Sequence, residues 1–114
     1  MDFFIHCKGI HITDSFREEV QTRLDQALHR FSDEVARVHI TLENVNGPRG
    51  GRDKRCVVTT TLSHSGHPIV SSARHTKLDA AVGLAARRLN RALADRSDKF
   101  AARNTDAAFS HLAD

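Results

Sequence analysis

Arg87, Arg88 and Arg91 stand close together in a segment, residues 76 to 96, whose apolar residues recur at helical spacing. At about 100° per residue, these three and Lys77 fall on the side opposite the stripe that contains Leu78 and Leu89. Arg74 precedes the segment, and Lys99 and Arg103 follow it. A guanidinium is always charged, and its planar fork of donors matches phosphate oxygens. A row of them reads as a ridge that follows a nucleic-acid backbone. It also reads as an ordinary solvated helix face, and Asp95 and Asp98 interrupt it. A second set lies in an earlier helical segment, where Arg23 and Arg30 are two turns apart and flank an apolar stripe. Their stems can lie along apolar neighbours while the charged heads stay in water. If the two helices lie side by side, both rows can face one groove.

Other residues carry weaker signals. The loop Arg49-Gly50-Gly51-Arg52-Asp53-Lys54-Arg55 holds four cations in seven residues. It reads equally as a flexible contact to an RNA backbone or as a solvated hairpin tip. His64 and His67 are the only close histidine pair, with no cysteine pair beside them, so no zinc site and no other metal is expected. Cys7 and Cys56 are too few for a disulfide framework and read as small buried residues in a reducing compartment. Ser63, Ser65, Ser71 and Ser72 have histidines near in sequence but no glycine-framed elbow. No nucleophile has an orienting base, so neither catalysis nor a cofactor nor a small-molecule substrate is expected.

The elements that must position these groups can be read in order. Phe3 to Lys8 is a first strand, with Phe3, Ile5 and Cys7 on one face and His6 and Lys8 on the other. Thr13 caps a helix from about Asp14 to Arg30, whose stripe is Phe16, Val20, Leu24, Ala27, Leu28 and Phe31. Val35 to Val45 is a strand in which Val38, Ile40 and Leu42 alternate with polar residues. A glycine-rich hairpin loop leads to a third strand, Arg55 to Ser63, and a fourth runs from Pro68 to Ala73. Thr76 caps the second long helix, with Asp79 completing a shortened capping box. That helix fades after Arg96, where the periodicity weakens. The order is β-α-β-β-β-α, an α+β class. The first two strands should be parallel with a right-handed crossover, and the simplest burial puts both helices on one face of a four-stranded sheet. The open face would carry Arg37, His39, Thr41, Glu43, Arg55, Thr59 and Thr61, with no tyrosine or tryptophan and with the phenylalanines used in stripes. A base-stacking sheet needs aromatics there, so backbone and shape recognition is the expected mode.

With 114 residues the chain is one domain's worth, residues 1 to 99, followed by a tail from 100 to 114 expected to be flexible. No apolar run approaches the roughly 18 residues of a membrane helix, and the first residues do not have the charge and apolar pattern of a signal peptide. A cytoplasmic protein is expected. The net charge of +3 and the pI near 9.3 are mildly basic, and thirteen of the seventeen cations are arginine.

The order β-α-β-β-β-α, the segment ITDSFREEVQTRL at residues 12 to 24 and the segment IVSSARHTKLDAAVGLAARRLNRAL at 69 to 93 resemble the ribosome hibernation factor family. This family includes the hibernation promoting factor and the ribosome-associated inhibitor A, also called sigma-54 modulation proteins. The resemblance covers roughly residues 3 to 99. It implies a domain similar to a double-stranded-RNA-binding domain, bound to the small ribosomal subunit in the channel that holds messenger RNA and tRNA anticodons. It implies contacts to ribosomal RNA by Arg17 and Arg23 on the first helix and by Arg88, Arg91 and Lys99 on the second. Long members add a dimerisation domain, so this chain resembles a short form, expected to be a monomer when free. The sequence departs from the family's pattern at four places. Asp79 replaces a usual tyrosine, Ala81-Val82-Gly83 stands where Ala-Ile-Asp is usual, and Gln26 and Asp95 stand where lysines are common.

The RNA-binding set on this reading is Arg17, Arg23, Arg30, Arg74, Lys77, Arg87, Arg88, Arg91 and Lys99. The leading reading is a translation inhibitor that binds small-subunit ribosomal RNA and occludes the channel. The alternative, motivated by the departures, is a diverged paralogue that acts as a protein–protein module.

Overall fold

The structure is a computed structural model, and it describes residues 1–45, 53–64 and 67–113, with side chains described as far as residue 96. Strand β1 (Asp2–Lys8) is followed by helix α1 (Asp14–Leu28), a 3₁₀ turn (His29–Phe31), strands β2 (Val35–Asn44), β3 (Lys54–Leu62) and β4 (Ile69–His75), and helix α2 (Leu78–Ala113). The strands form one sheet in the order β1-β2-β3-β4. β1 pairs parallel with β2, and the other pairs are antiparallel, as the strand–helix–strand opening requires. Gly9, at φ +64°, ends β1 in a left-handed conformation that an L side chain would resist.

Thr13 caps α1 as expected, its hydroxyl accepting from the Phe16 N–H at 3.0 Å. α2 starts differently. Its first turn is closed by the Ala81 N–H and the Lys77 carbonyl at 3.1 Å, so the helix begins one residue later than a Thr76 cap would place it. The capping box does not form. The Lys77 N–H donates instead to His75 Nδ1 at 3.1 Å, and Asp79 Oδ1 accepts from the Ala80 N–H at 2.9 Å. The far end also differs, because α2 continues to Ala113 rather than ending near Arg96. From residue 97 onward there is neither glycine nor proline, and alanines recur, so helix propensity carries the backbone where the apolar stripe has faded.

The core lies between the sheet and both helices. Val20, Leu24 and Leu28 of α1 and Ala81, Val82, Ala85, Leu89 and Leu93 of α2 pack with Val38, Ile40, Leu42, Cys56 and Val58 of the sheet. Cys56 is fully covered, and burial pushes its thiol up to about 12. Both cysteines are free. Cys7 pairs with Leu42, which pairs with Cys56, so β2 separates the two by about two strand spacings, ~9.6 Å, too far for a disulfide.

The other sheet face carries no helix. Along β1 its exposed residues are Asp2, Phe4, His6 and Lys8. Cross-strand register builds two distinct rows on it. One is Phe4, His39, Thr59 and Val70, and the other is Lys8, Glu43, Arg55 and Arg74.

Candidate nucleic-acid interface

α1 and α2 lie side by side, tied by two side chains. Arg23 Nη1 on α1 donates to the Asp79 carbonyl in the first turn of α2 at 3.0 Å. Further along, Asn90 Nδ2 on α2 donates to the Ala27 carbonyl of α1. Between these ties runs a groove of about 820 Å³. Arg23, Arg87 and His75 supply its cations and imidazole, Asp79 its carboxylate, and Ala27, Ala80 and Leu84 much of its apolar wall. Arg23 is further held by Glu19, at 3.2 Å one helical turn back. With Nδ1 accepting from the Lys77 N–H, a neutral His75 ring carries its proton on Nε2.

The nine arginines and lysines expected to bind RNA do not share this groove. Arg23 and Arg87 line it. Arg17 Nη1 reaches the Ile5 carbonyl on β1 at 3.4 Å, and Arg88 Nη1 reaches the Ser72 carbonyl on β4 at 2.8 Å. β1 and β4 are the two edges of the sheet. Each edge therefore has one carbonyl capped by a helix arginine, a device that discourages pairing with a foreign strand. Arg87 and Arg88 diverge because adjacent helical residues point about 100° apart, one toward α1 and the other toward β4.

Arg30 lies in the 3₁₀ turn, where the tighter winding ends the α-helical spacing that related it to Arg23. Its guanidinium carbon sits 4.7 Å from the centroid of the Phe31 ring. Arg74 belongs to β4, which runs two residues past its expected end. Because Ala73 is buried, strand alternation turns Arg74 to the open face, away from α2. Lys77 is exposed just ahead of α2, and Arg91 is exposed one turn beyond Arg87. Lys99 lies in the α2 backbone, but its side chain is outside the described residues, as are Arg49 and Arg52 of the loop. Lys54 pairs with Asp53 at 3.4 Å.

A model of the family described as "Sigma 54 modulation protein / S30EA ribosomal protein" matches residues 3–101. The chain belongs to this family. Among solved structures, a ribosomal subunit interface protein from Coxiella burnetii superposes with a TM-score of 0.69 at 21% identity, covering 86% of this chain and 99% of that one. The N-terminal domain of Protein Y from Thermus thermophilus gives 0.63 at 22% identity, covering 80% and 93% respectively. At these identities the likeness establishes the S30EA fold. No curated protein matches the sequence.

Three of the positions at which the chain departs from the hibernation-factor pattern, Gln26, Asp79 and Gly83, line the groove between the helices.

One aromatic stands where the sequence reading expects none. The phenylalanines are expected in buried stripes, yet Phe4 lies on the open face 42% exposed, its ring 4.9 Å from that of His39 and nearly parallel to it. His6 stacks on the same His39 ring at 6.0 Å. The signal is in the sequence: the period-two alternation that turns His6 and Lys8 outward turns Phe4 outward as well.

Proposed function

We propose that this chain is a ribosome-associated hibernation factor that binds ribosomal RNA of the small subunit and silences translation by filling the channel for messenger RNA and tRNA. The family match over residues 3–101 carries the reading. The exposed cations of α2 support it. Among the described residues Arg87 and Arg91 have no hydrogen-bonded or ionic partner, so they can neutralise phosphates without breaking a contact of the fold. Occlusion needs no bond chemistry and no cofactor: arginines displace counterions from RNA, and the body of the domain excludes other ligands. The free protein acts as a monomer in this scheme.

The test is co-sedimentation with purified small subunits at low and high salt, beside translation of a reporter message. Association at low salt that falls steeply with added salt, together with dose-dependent loss of translation, is the expected result. No association at low salt contradicts the proposal, and a partner retained after nuclease treatment would favour the protein–protein module instead.

A further inference from the structure

We propose that the open face of the sheet is a second RNA-binding surface, one that stacks an unpaired base of single-stranded RNA on the rings of Phe4 and His39. Phe4 and Val70 are the large hydrophobic residues exposed among the described residues, and both fall on the same cross-strand row. A ring standing on a pleated sheet beside other stacked rings is a ready platform for a base. The platform is already ordered: Phe4 and His39 lie 16° from parallel and His6 and His39 only 4°, so little conformational freedom is lost when a base joins the stack.

Charge favours RNA as the occupant. Arg37 precedes His39 by two residues on the same face of β2, about 7 Å along the strand. Four residues along in the opposite direction, ~13 Å from the ring row, stand Arg55 and Arg74, directly paired across β3 and β4. Two cations held side by side repel one another and lower the stability of a sheet unless an anion lies between them. Glu43 on the adjacent strand pairs with Arg55 in register, and Lys8 adds another cation beyond it, so the row keeps a positive excess. The spacing from rings to this row is about two nucleotides of extended chain. A short single strand can therefore stack a base on the rings and set phosphates on Arg37 at one end and on Arg55 and Arg74 at the other. This face is opposite the helices, so it is independent of the groove and of Arg87 and Arg91.

The chain has no tryptophan or tyrosine, so Phe4→Trp would introduce a single indole reporter at the platform. Titration of this variant with a hexamer of oligoadenylate at low salt should give saturable quenching, at least about tenfold tighter than with an RNA duplex. His39→Ser in the same background should weaken binding about tenfold, while Arg87→Glu with Arg91→Glu should leave the quenching intact. Circular dichroism confirms folding of each variant. Absence of saturable quenching, equal quenching by duplex, or loss of quenching through the α2 charge reversals alone would overturn the proposal. Quenching that grows with protein concentration in the absence of RNA would overturn it too, in favour of a second copy of the chain. Each of these failures leaves co-sedimentation with small subunits unaffected, so the two proposals fail separately.

Discussion

The groove between the helices and the open face of the sheet are both basic, yet their side chains are held in opposite ways. In the groove, Arg23 and Asn90 are committed to backbone carbonyls of the opposing helix, and the edge arginines Arg17 and Arg88 are committed to the sheet. On the open face, the rings of Phe4 and His6 stack on His39, and the described structure gives Arg37, Arg55 and Arg74 no hydrogen-bonded or ionic partner. Arginines that look alike in sequence thus divide into those that hold the fold together and those with no hydrogen-bonded or ionic partner among the described residues. Arg87 and Arg91 are the exception on the helical side, and they are the residues through which RNA contact costs the fold nothing.

Both surfaces rest on one core, and the largest effect should come from there. Leu89 is fully buried, and Leu89→Ala should lower stability by about 2–5 kcal/mol in a denaturant titration. Both surfaces should be lost together as the protein unfolds. A loss of less than about 1 kcal/mol would mean the faces are supported separately.

Cys56 tests the sheet's inner side. Its thiol, raised by burial from 9.0 to about 12, stays neutral in the folded protein after the unfolded chain has ionised. The stability this confers is fully present below pH 9 and is lost progressively as pH rises toward 12, reaching about 4 kcal/mol if the whole shift is expressed. Cys56→Val should flatten the fall in stability between pH 9 and 11. A slope unchanged by the substitution would mean the thiol is not shielded under the sheet.

Gly83 gives the smallest effect and sharpens the groove. A Cβ there would meet Arg23 Nη1 at 3.5 Å, an ordinary contact. Gly83→Ala should therefore raise stability by up to about 1 kcal/mol through helix propensity, seen as a higher Tm, without altering the sheet face. A lower Tm would show that Arg23 has no room to accommodate the methyl group.

Much of the fold was legible in the residues. Alternation in β2 and β3, the 3.6-residue stripes of both helices and the Thr13 cap are local signals, and the parallel β1–β2 pair follows from a general rule of handedness. The ends of α2 were less so, because its start depends on the His75 ring as an acceptor and its continuation on propensity rather than on an apolar face. The candidate site was harder still. A guanidinium's partner is set by tertiary contacts, so no spacing in the sequence could show that Arg88 caps an edge strand while Arg87, its neighbour, lines a groove. The direction of Arg74 was hidden for a simpler reason: β4 extends through it, and strand alternation then governs where it points.

The account turns most directly on the salt dependence of small-subunit binding by the wild-type protein and by the variant carrying Arg87→Glu and Arg91→Glu. The wild-type affinity should fall linearly on logarithmic axes, and the variant should bind at least about tenfold more weakly, with a slope smaller by about two contacts. Equal affinity and equal slope for the two proteins would contradict phosphate contact through the exposed cations of α2.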